Sequence, residues 1–406
     1  MPKKTIRDID VSGKRVLMRV DFNVPLKDGK VADATRIEAA LPSIQYLLKN
    51  GARLVLLSHL GRPDGKADPK FSLKPAALKL AELLGQPVPL ASDCVGPEVK
   101  KLVDSLTNGQ VVMLENVRYH PEEELLNKYA KQDDATKAKI DAFVKELASF
   151  GEIYVNDAFG TAHRAHASTQ GVTKYIKTNV AGFLMEKEVK YFGDTLAKPA
   201  QPFLAILGGA KVSDKVQVIT NLLEKVDSLI IGGAMAYTIM KASGQPVGIS
   251  RVEEDKLDLA KSVIEKAKTK NVKLLLPVDH VTAKQFDVDS PDGVFASIPA
   301  DQMGLDIGPK SIDLFVAEIA KAKTIVWNGP MGVFEKPAFA TGTFALAKAI
   351  ANNTGCVSII GGGDSVSAVN KSGLASKMTH ISTGGGASLE FLEGKVLPGV
   401  AALDDA

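Results

Sequence analysis

Short apolar runs alternate along the chain with longer segments of helical periodicity. The runs in the first half are RVLMRVDF, RLVLLSHL, VVMLENV and EIYVNDAF, and those in the second half are FLAILGG, SLIIGG, KLLLPVD, TIVWNG, CVSIIGGG and MTHISTGG. Continuously apolar runs are typical of strands that are buried on both faces of a parallel sheet. Their alternation with helices predicts βαβ units and therefore a doubly wound, Rossmann-like α/β fold.

The chain is too long for a single hydrophobic core. It has 406 residues, and chains beyond roughly 250–300 residues usually divide into domains. The strand-forming runs fall into two groups, separated by VAGFLMEKEVKYFGDTLAKPAQP, which we interpret as a helix closed by a proline-containing stretch. We therefore predict two α/β domains that join at this helix, and we expect the short tail VLPGVAALDDA to pack on a larger unit.

Composition excludes several classes of protein. The net charge of +3 is too small for bulk nucleic-acid binding, and one Trp and seven Tyr offer few stacking platforms for single strands. The start, MPKKTIRDID, lacks the apolar core of a signal peptide, and no apolar run reaches the ~20 residues of a membrane span. The two cysteines, Cys94 and Cys356, lie outside any CxxC, which fits a reducing cytoplasm.

Glycine-rich sequences follow the predicted strands of the second half: GGAK, GGAM, NGPMG, GGGDS and TGGGAS. Ligands of open α/β sheets bind at the carboxyl ends of the strands, and glycines let backbone N–H groups close around an oxyanion. One such sequence is an ordinary tight turn, but their accumulation in one half indicates a phosphate site. Neither GxxxxGK[ST] nor GxGxxG after a strand occurs, which argues against a P-loop and weakens a dinucleotide-binding interpretation.

Two lysines, Lys211 and Lys215 of GGAKVSDK, flank the start of a predicted helix. A helix N-terminus disfavours a nearby cation by ~0.3–1 kcal/mol. Surface lysines with flexible stems are one explanation, and a polyphosphate bound between them is the other, which the glycine clusters favour. Asp364 of GGGDS is either an ordinary N-cap or a ligand of a phosphate-bound Mg²⁺.

Basic side chains follow the predicted strands of the first half. A solvated surface explains a single exposed arginine, but several beside strand ends indicate a pocket for a small anion of multiple charge, because the guanidinium fork binds carboxylate and phosphate in a bidentate way. The residues are Arg36, His59, Arg62, Arg118 and Arg164. A nucleotide site in one half and an anion site in the other predict phosphoryl transfer with hinge closure, in which catalysis is positioning and charge stabilisation.

The motifs VDFNVP, SHLGRP, NDAFGTAHRAH, GGAKVSDK, WNGPMGVFE and GGGDS stand in the order found in the phosphoglycerate kinases, and the sequence resembles that family over nearly its whole length. The resemblance implies reversible phosphoryl transfer from 1,3-bisphosphoglycerate to MgADP, giving 3-phosphoglycerate and MgATP. It also implies a monomer. The expected domains are a triose-phosphate-binding domain over 1–183 with the tail 391–406, a hinge helix over 184–199, and a nucleotide-binding domain over 200–390.

The resemblance also implies a role for each residue of the triose site. Asp21 and Asn23 would hold the triose substrate beside the basic residues, and Arg36 would reach the transferred phosphoryl group. Together with Arg36, the expected catalytic residues are Lys211, Lys215 and Gly385, the last of which would offer its backbone N–H group to the transition state.

For the nucleotide, Gly233 and Gly304 would line the nucleoside pocket, Glu335 would hold the ribose, and Asp364 would hold Mg²⁺. Lys211 and Lys215 would contact the phosphates. The further nucleotide-binding residues are Gly209, Ala210, Gly329, Gly361, Gly362, Gly363 and Ser365. The sequence departs from common members of the family at Ala234, where a third glycine is frequent, and at Ser365, where threonine is frequent.

Two other functions fit the sequence less well. A non-catalytic metabolite-binding protein on the same scaffold has little need for both lysines, and a nicotinamide dehydrogenase lacks its GxGxxG here. The highly charged segment 121–150 is interpreted as a solvated surface helix pair, whose thin apolar stripe is Ile140, Phe143, Val144 and Leu147.

Overall fold

The computed structural model describes residues 2–406, except for the side chains of residues 194 and 196. The chain forms two compact units. The first contains the residues up to Lys190 together with Val396–Ala406, and the second contains Tyr191–Lys395. Each unit is built on its own parallel sheet, which confirms the predicted α/β class.

The sheet of the first unit is parallel throughout. Its strands and those of a small hairpin are β1 (Arg15–Arg19), β2 (Leu26–Lys27), β3 (Lys30–Val31), β4 (Arg53–Leu57), β5 (Val111–Met113), β6 (Ile153–Asn156) and β7 (Thr178–Ala181). The strand order is β5-β4-β1-β6-β7, and β2 pairs with β3. Nearly every side chain in β1, β4, β5 and β6 is buried, as expected for strands covered on both faces. The strand β7 was not predicted, because TNVA is short and half polar.

Helices follow the strands of this unit, as the βαβ pattern predicts. They are α1 (Thr35–Lys49), α2 (Lys74–Leu84), α3 (Pro97–Asp104), α4 (Glu122–Leu125) and α5 (Asp134–Ser149). The first of them, α1, contains Pro42. It ends before Gly51, whose φ of 78° is the left-handed conformation that glycine adopts without strain.

The charged segment 121–150 differs from its prediction in one respect. Its apolar stripe is buried as expected in α5, and most of its charged side chains are exposed. Glu123 of α4, however, has no exposed surface at all. A carboxylate is almost never fully buried without partners, so this side chain has a structural or functional task that the charge pattern did not reveal.

The second unit contains a larger parallel sheet and a small antiparallel one. The strands are β8 (Phe203–Leu207), β9 (Ser228–Ile231), β10 (Lys273–Leu275), β11 (His280–Ala283), β12 (Gly293–Phe295), β13 (Met303–Ile307), β14 (Thr324–Asn328), β15 (Val357–Gly361) and β16 (His380–Ile381). The parallel order is β10-β9-β8-β14-β15-β16, and the antiparallel order is β12-β11-β13. Trp327 in β14 is fully buried between Ile206 and Ile360 of the neighbouring strands.

The helices of the second unit surround this sheet. Together with the connecting helix α6 (Phe183–Ala197) they are α7 (Val216–Leu222), α8 (Ala234–Ala242), α9 (Leu257–Thr269), α10 (Pro309–Ile319), α11 (Thr341–Asn352), α12 (Gly363–Lys371) and α13 (Gly386–Leu392). In α7 and the turn after it, the apolar side chains of Ile219, Leu222, Leu223 and Val226 are buried, and that of Val216 is partly buried. The helix starts at Val216, so Lys215 is itself the residue that precedes the first helical turn.

The C-terminal tail, which includes α14 (Pro398–Ala401), packs on the first unit. The N–H of Gly399 donates to the carbonyl of Ala162 at 2.8 Å, and the N–H of Asp404 donates to that of Asn179 at 2.8 Å. Residues 391–395, which the predicted tail included, lie in the second unit. Among the described residues, no helix is long and apolar enough to cross a membrane.

Candidate active site

Both parallel sheets have a topological switch point. In the first unit the chain proceeds outward from β1 through β4 to β5 and returns to β6 on the other side of β1, and in the second unit it proceeds from β8 to β10 and returns to β14. Open α/β sheets bind ligands at the carboxyl ends of the strands beside such a point. The predicted site residues lie at or after the carboxyl ends of the parallel strands, except Gly304, which lies in β13 of the antiparallel sheet.

In the first unit, the predicted triose residues contact one another. The Arg36 guanidinium donates to Asp21 Oδ2 at 3.0 Å and to the carbonyl of Asn23 at 3.2 Å. The side chain of Asn23 accepts a hydrogen bond from the N–H of Gly61 at 2.9 Å. Arg118 donates to the carbonyl of the same glycine at 2.9 Å. The loops after β1, β4 and β5 are therefore fastened together by these residues.

His59 lies in the centre of this cluster and is almost completely buried. Its Nδ1 atom is 3.2 Å from the Arg19 guanidinium and 4.0 Å from Asp21 Oδ1. Burial, followed by the charge of Arg19, holds the pKa of His59 well below its ordinary value. The imidazole is therefore neutral, with one ring nitrogen that can donate a hydrogen bond and one that can accept.

The remaining basic residues differ in exposure. Burial lowers the pKa of Arg118, whose Nε lies 3.1 Å from Glu124. Arg62 and Arg164 are exposed, so their guanidinium groups have solvent around them. His166, two residues after Arg164 in the HRAH motif, is buried, and burial lowers its pKa to about 3.

The second unit contains a cavity of ≈ 420 Å³ at the glycine-rich strand ends. Of the predicted nucleotide-binding residues, those lining it are Gly209, Ala210, Gly233, Gly304, Glu335 and Asp364. Tyr237, Arg251 and Phe286 also line the cavity and were not predicted. An aromatic and apolar wall with a few polar groups suits a nucleoside.

At two positions of this site, neighbouring atoms lie so close to the backbone that only glycine fits. Gly233 adopts a φ of 66°, and a Cβ atom there would lie 2.6 Å from the backbone nitrogen of Gly209. At Gly304 a Cβ atom would overlap the hydroxyl group of Tyr237. Glycine at position 233 lets the segment after β9 approach the segment after β8, and glycine at position 304 leaves room for the Tyr237 hydroxyl group.

Lys215 lies at the switch point of the second sheet. Its ammonium group donates to the carbonyl oxygen of Asn328 at 2.9 Å and also to the Oδ1 atom of that residue, at the end of β14. Burial lowers the pKa of Lys215 to about 8, against the opposing effect of the Asp364 and Asp214 carboxylates. The ammonium is thus a partly desolvated charge close to Asp364, whereas Lys211 is exposed.

The other predicted nucleotide residues surround the same strand ends without lining the cavity. The N–H of Gly329 donates to the hydroxyl of Ser365 at 2.5 Å, and this bond joins the end of β14 to the start of α12. Gly361, Gly362 and Gly363 form the link from β15 into α12, and Gly362 lies against Asn328. Gly385 precedes α13, a helix that is fastened to α7 by the bond from Asn221 to Leu392 at 2.7 Å.

Asp364 fits a magnesium ligand by its chemistry and position. It is exposed in the first turn of α12 and lines the cavity. Mg²⁺ usually takes one or two carboxylates together with substrate phosphates and water. This side chain can therefore hold a nucleotide-bound Mg²⁺.

Sequence reasoning missed the side chains that support the site from behind. The side chains of Arg19, Glu123 and Asn328 are each at most 2 % exposed. They contact His59, Ser168 and Lys215, respectively. A charge at the end of the apolar run RVLMR, and an amide at the end of TIVWN, were signals for two of them. Nothing in the local sequence distinguishes Glu123 from the glutamates on either side.

Comparison with known proteins supports a single family. The family model described as phosphoglycerate kinase matches residues 6–395. Curated relatives of that name from Koribacter versatilis and Prosthecochloris aestuarii are each 58% identical, over 413 and 410 residues, covering 99% and 100% of both chains respectively.

Solved structures agree with this. A phosphoglycerate kinase from Coxiella burnetii superposes with a TM-score of 0.87 at 41% identity, and one from Pyrococcus horikoshii OT3 with 0.84 at 33%. Both comparisons cover 99% of this chain and 98% of the other. By sequence and by fold, the chain belongs to the phosphoglycerate kinase family.

Proposed function

We propose that the chain transfers a phosphoryl group reversibly between 1,3-bisphosphoglycerate and MgADP, giving 3-phosphoglycerate and MgATP, through side chains of both units. Family membership makes it a phosphotransferase with a carboxyl group as acceptor, which acts in glycolysis. The observation that carries the residue-level proposal is the partly desolvated Lys215 ammonium beside a glycine-lined cavity.

The triose substrate binds in the first unit in this proposal. Neutral His59 donates a hydrogen bond, and Asp21 and Asn23 bind the substrate hydroxyl and orient Arg36. Arg62, Arg118 and Arg164 complete the basic surface for carboxylate and phosphate. Arg36 is the residue assigned to the transferred phosphoryl group.

The nucleotide binds in the second unit. Gly233 and Gly304 face the nucleoside, Glu335 the ribose, and Gly209, Ala210 and Lys211 the phosphates. Gly329, Ser365 and the glycines from Gly361 to Gly363 hold the phosphate-facing loops in place. Gly385 supplies a backbone N–H group during transfer.

The chemical step breaks the bond between phosphorus and the acyl oxygen and forms one to the terminal oxygen of ADP, leaving a carboxylate. The protein contributes position and charge, since the negative charge spreads over the phosphoryl oxygens in flight. Lys215 and Arg36 are the two cations assigned to those oxygens. Direct transfer requires both substrates to meet at bonding distance.

The Asp364 carboxylate is assigned as a ligand of Mg²⁺. When bound, the ion would neutralise part of the negative charge on the phosphates. Replacing Asp364 with asparagine is expected to raise the Mg²⁺ concentration for half-maximal rate by roughly tenfold, about 1.4 kcal/mol. Rate measurements against free Mg²⁺ at fixed ATP test this, with Asp313→Asn as the control carboxylate on the exposed face of α10. An unchanged Mg²⁺ dependence would remove Asp364 from the metal site.

A pH dependence follows from Lys215. Since its pKa is about 8, the ammonium is charged below that value and loses its proton above it. We expect kcat/KM for MgATP, which reports the free enzyme, to fall as the pH rises through about 8. In Lys215→Arg the guanidinium stays charged, so the residual activity should show no such fall. The same alkaline limb in both proteins would contradict the assignment.

A coupled assay with 3-phosphoglycerate, ATP and Mg²⁺ tests the function as a whole. Turnover is the expected result. A chain that binds both substrates without exchanging phosphate would instead be the non-catalytic metabolite-binding protein, which the presence of Arg36, Lys211, Lys215 and Asp364 disfavours.

We also propose that the chain acts as a monomer in the cytoplasm and binds small molecules, with neither nucleic acid nor membrane as a partner. Both cysteines are free, and Cys94 is buried, which agrees with a reducing compartment. Light scattering should give the mass of one chain.

A further inference from the structure

A fully buried carboxylate lies behind the triose site. Glu123 has no exposed surface. Its Oε2 accepts the backbone N–H of Ser168 at 2.8 Å, and its Oε1 accepts the hydroxyl of Ser168 at 2.6 Å. Its own carbonyl accepts the N–H of Ala167 at 3.0 Å. Glu123 therefore fixes the segment directly after Arg164 and His166 through three hydrogen bonds.

Ser168 relays this interaction to a buried arginine. The hydroxyl oxygen of Ser168 accepts the Nε–H of Arg19 at 2.8 Å while its hydrogen is donated to Glu123. The carboxylate accepts on both oxygens, so the hydroxyl lone pairs stay available to Arg19. An amide in its place would present an NH₂ group to one of the two Ser168 donors and leave that donor unpaired.

Arg19 in turn determines the state of His59. The guanidinium has only donors, so its contact at 3.2 Å requires His59 Nδ1 to be the acceptor. The proton of the neutral ring then resides on Nε2. Arg19 is 1% exposed, so solvent does not replace this contact.

We propose that Glu123 is a positioning residue of the triose site, which acts through Ser168 and Arg19 to hold His59 as the Nε2–H tautomer. The inference rests on the proposed role of His59 in binding the triose substrate. The buried carboxylate also adds a negative charge near Arg19 and Arg118, beside the charges of Asp21 and Glu124.

The test is Glu123→Gln, which keeps the size of the side chain. The KM for 3-phosphoglycerate is expected to rise about tenfold, with kcat changed less than threefold and the KM for MgATP unchanged. Glu122→Gln, one position earlier on the same helix and partly exposed, is the matched control and should behave like the unmodified protein.

A second readout separates positioning from general damage. Ring ¹⁵N shifts of His59, assigned with a His59→Asn variant, should show protonation at Nε2 alone in the unmodified protein between about pH 6 and 8. In Glu123→Gln the Nδ1–H tautomer should appear. Ser168→Ala, which removes only the relay, should produce the same change if Glu123→Gln fails to fold.

Unchanged tautomer and KM in a folded Glu123→Gln or Ser168→Ala variant would overturn the inference, as would a loss of thermal stability with no change in KM. Failure of the proposed function is distinguishable, because it would appear as absent turnover in the unmodified protein.

Discussion

Replacing Lys215 with alanine is expected to lower kcat by about 10³-fold, while the KM values for 3-phosphoglycerate and MgATP change little. The ammonium lies at the switch point of the second sheet, donates to Asn328 and is attracted by Asp364. Because the ammonium is partly buried, solvent screens its charge less than it screens the charge of a surface lysine. An interaction made mainly with the phosphoryl group in flight lowers the barrier more than it strengthens ground-state binding.

Steady-state kinetics in both directions check this prediction. Lys268→Ala removes an exposed lysine from α9 of the same unit and should leave kcat unchanged. If Lys215→Ala raised the KM for MgATP tenfold with kcat preserved, the residue would be a ground-state nucleotide contact and the assignment to transfer would be wrong.

Much of the fold follows from the sequence, because parallel strands buried on both faces must be apolar throughout. All the parallel strands except β7 lie within predicted runs. The antiparallel strands β11, β12 and β13 were missed, since HVTA is short and half polar and GVF has only three residues. Tertiary pairing rather than local propensity determines such strands.

The sequence predicted those site residues that directly follow a predicted strand. Glycine clusters and basic residues have local signals, and the cavity and the Arg36–Asp21 contact bring many of them together. Tyr237 and Phe286 come from a helix and a loop that only the fold brings to the cavity. Glu123 is indistinguishable in sequence from Glu122 and Glu124, and only its burial and its bonds to Ser168 single it out.

Gly208→Ala is expected to destabilise the second unit by about 3 kcal/mol, the upper end of what an overpacked position costs. Gly208 follows β8 and donates its N–H to the carbonyl of Asn328 at 3.0 Å. A Cβ atom there would lie 2.7 Å from the carbonyl oxygen of Gly329 and would overlap that of Pro330. Both obstacles are backbone atoms, so no side-chain rotation relieves them, and the ends of β8 and β14 must separate.

Separation at this point also moves the acceptor of Lys215, because Asn328 is the last residue of β14. We therefore expect a loss of kcat together with a lower melting temperature, by about 6–12 °C for a unit of this size. Calorimetry and kinetics measure the two effects, with Gly355→Ala as the control, since a Cβ atom there meets only ordinary contacts. Unchanged stability with full activity would mean that the two strand ends lie farther apart than described, and the switch-point geometry assigned to Lys215 would fail with it.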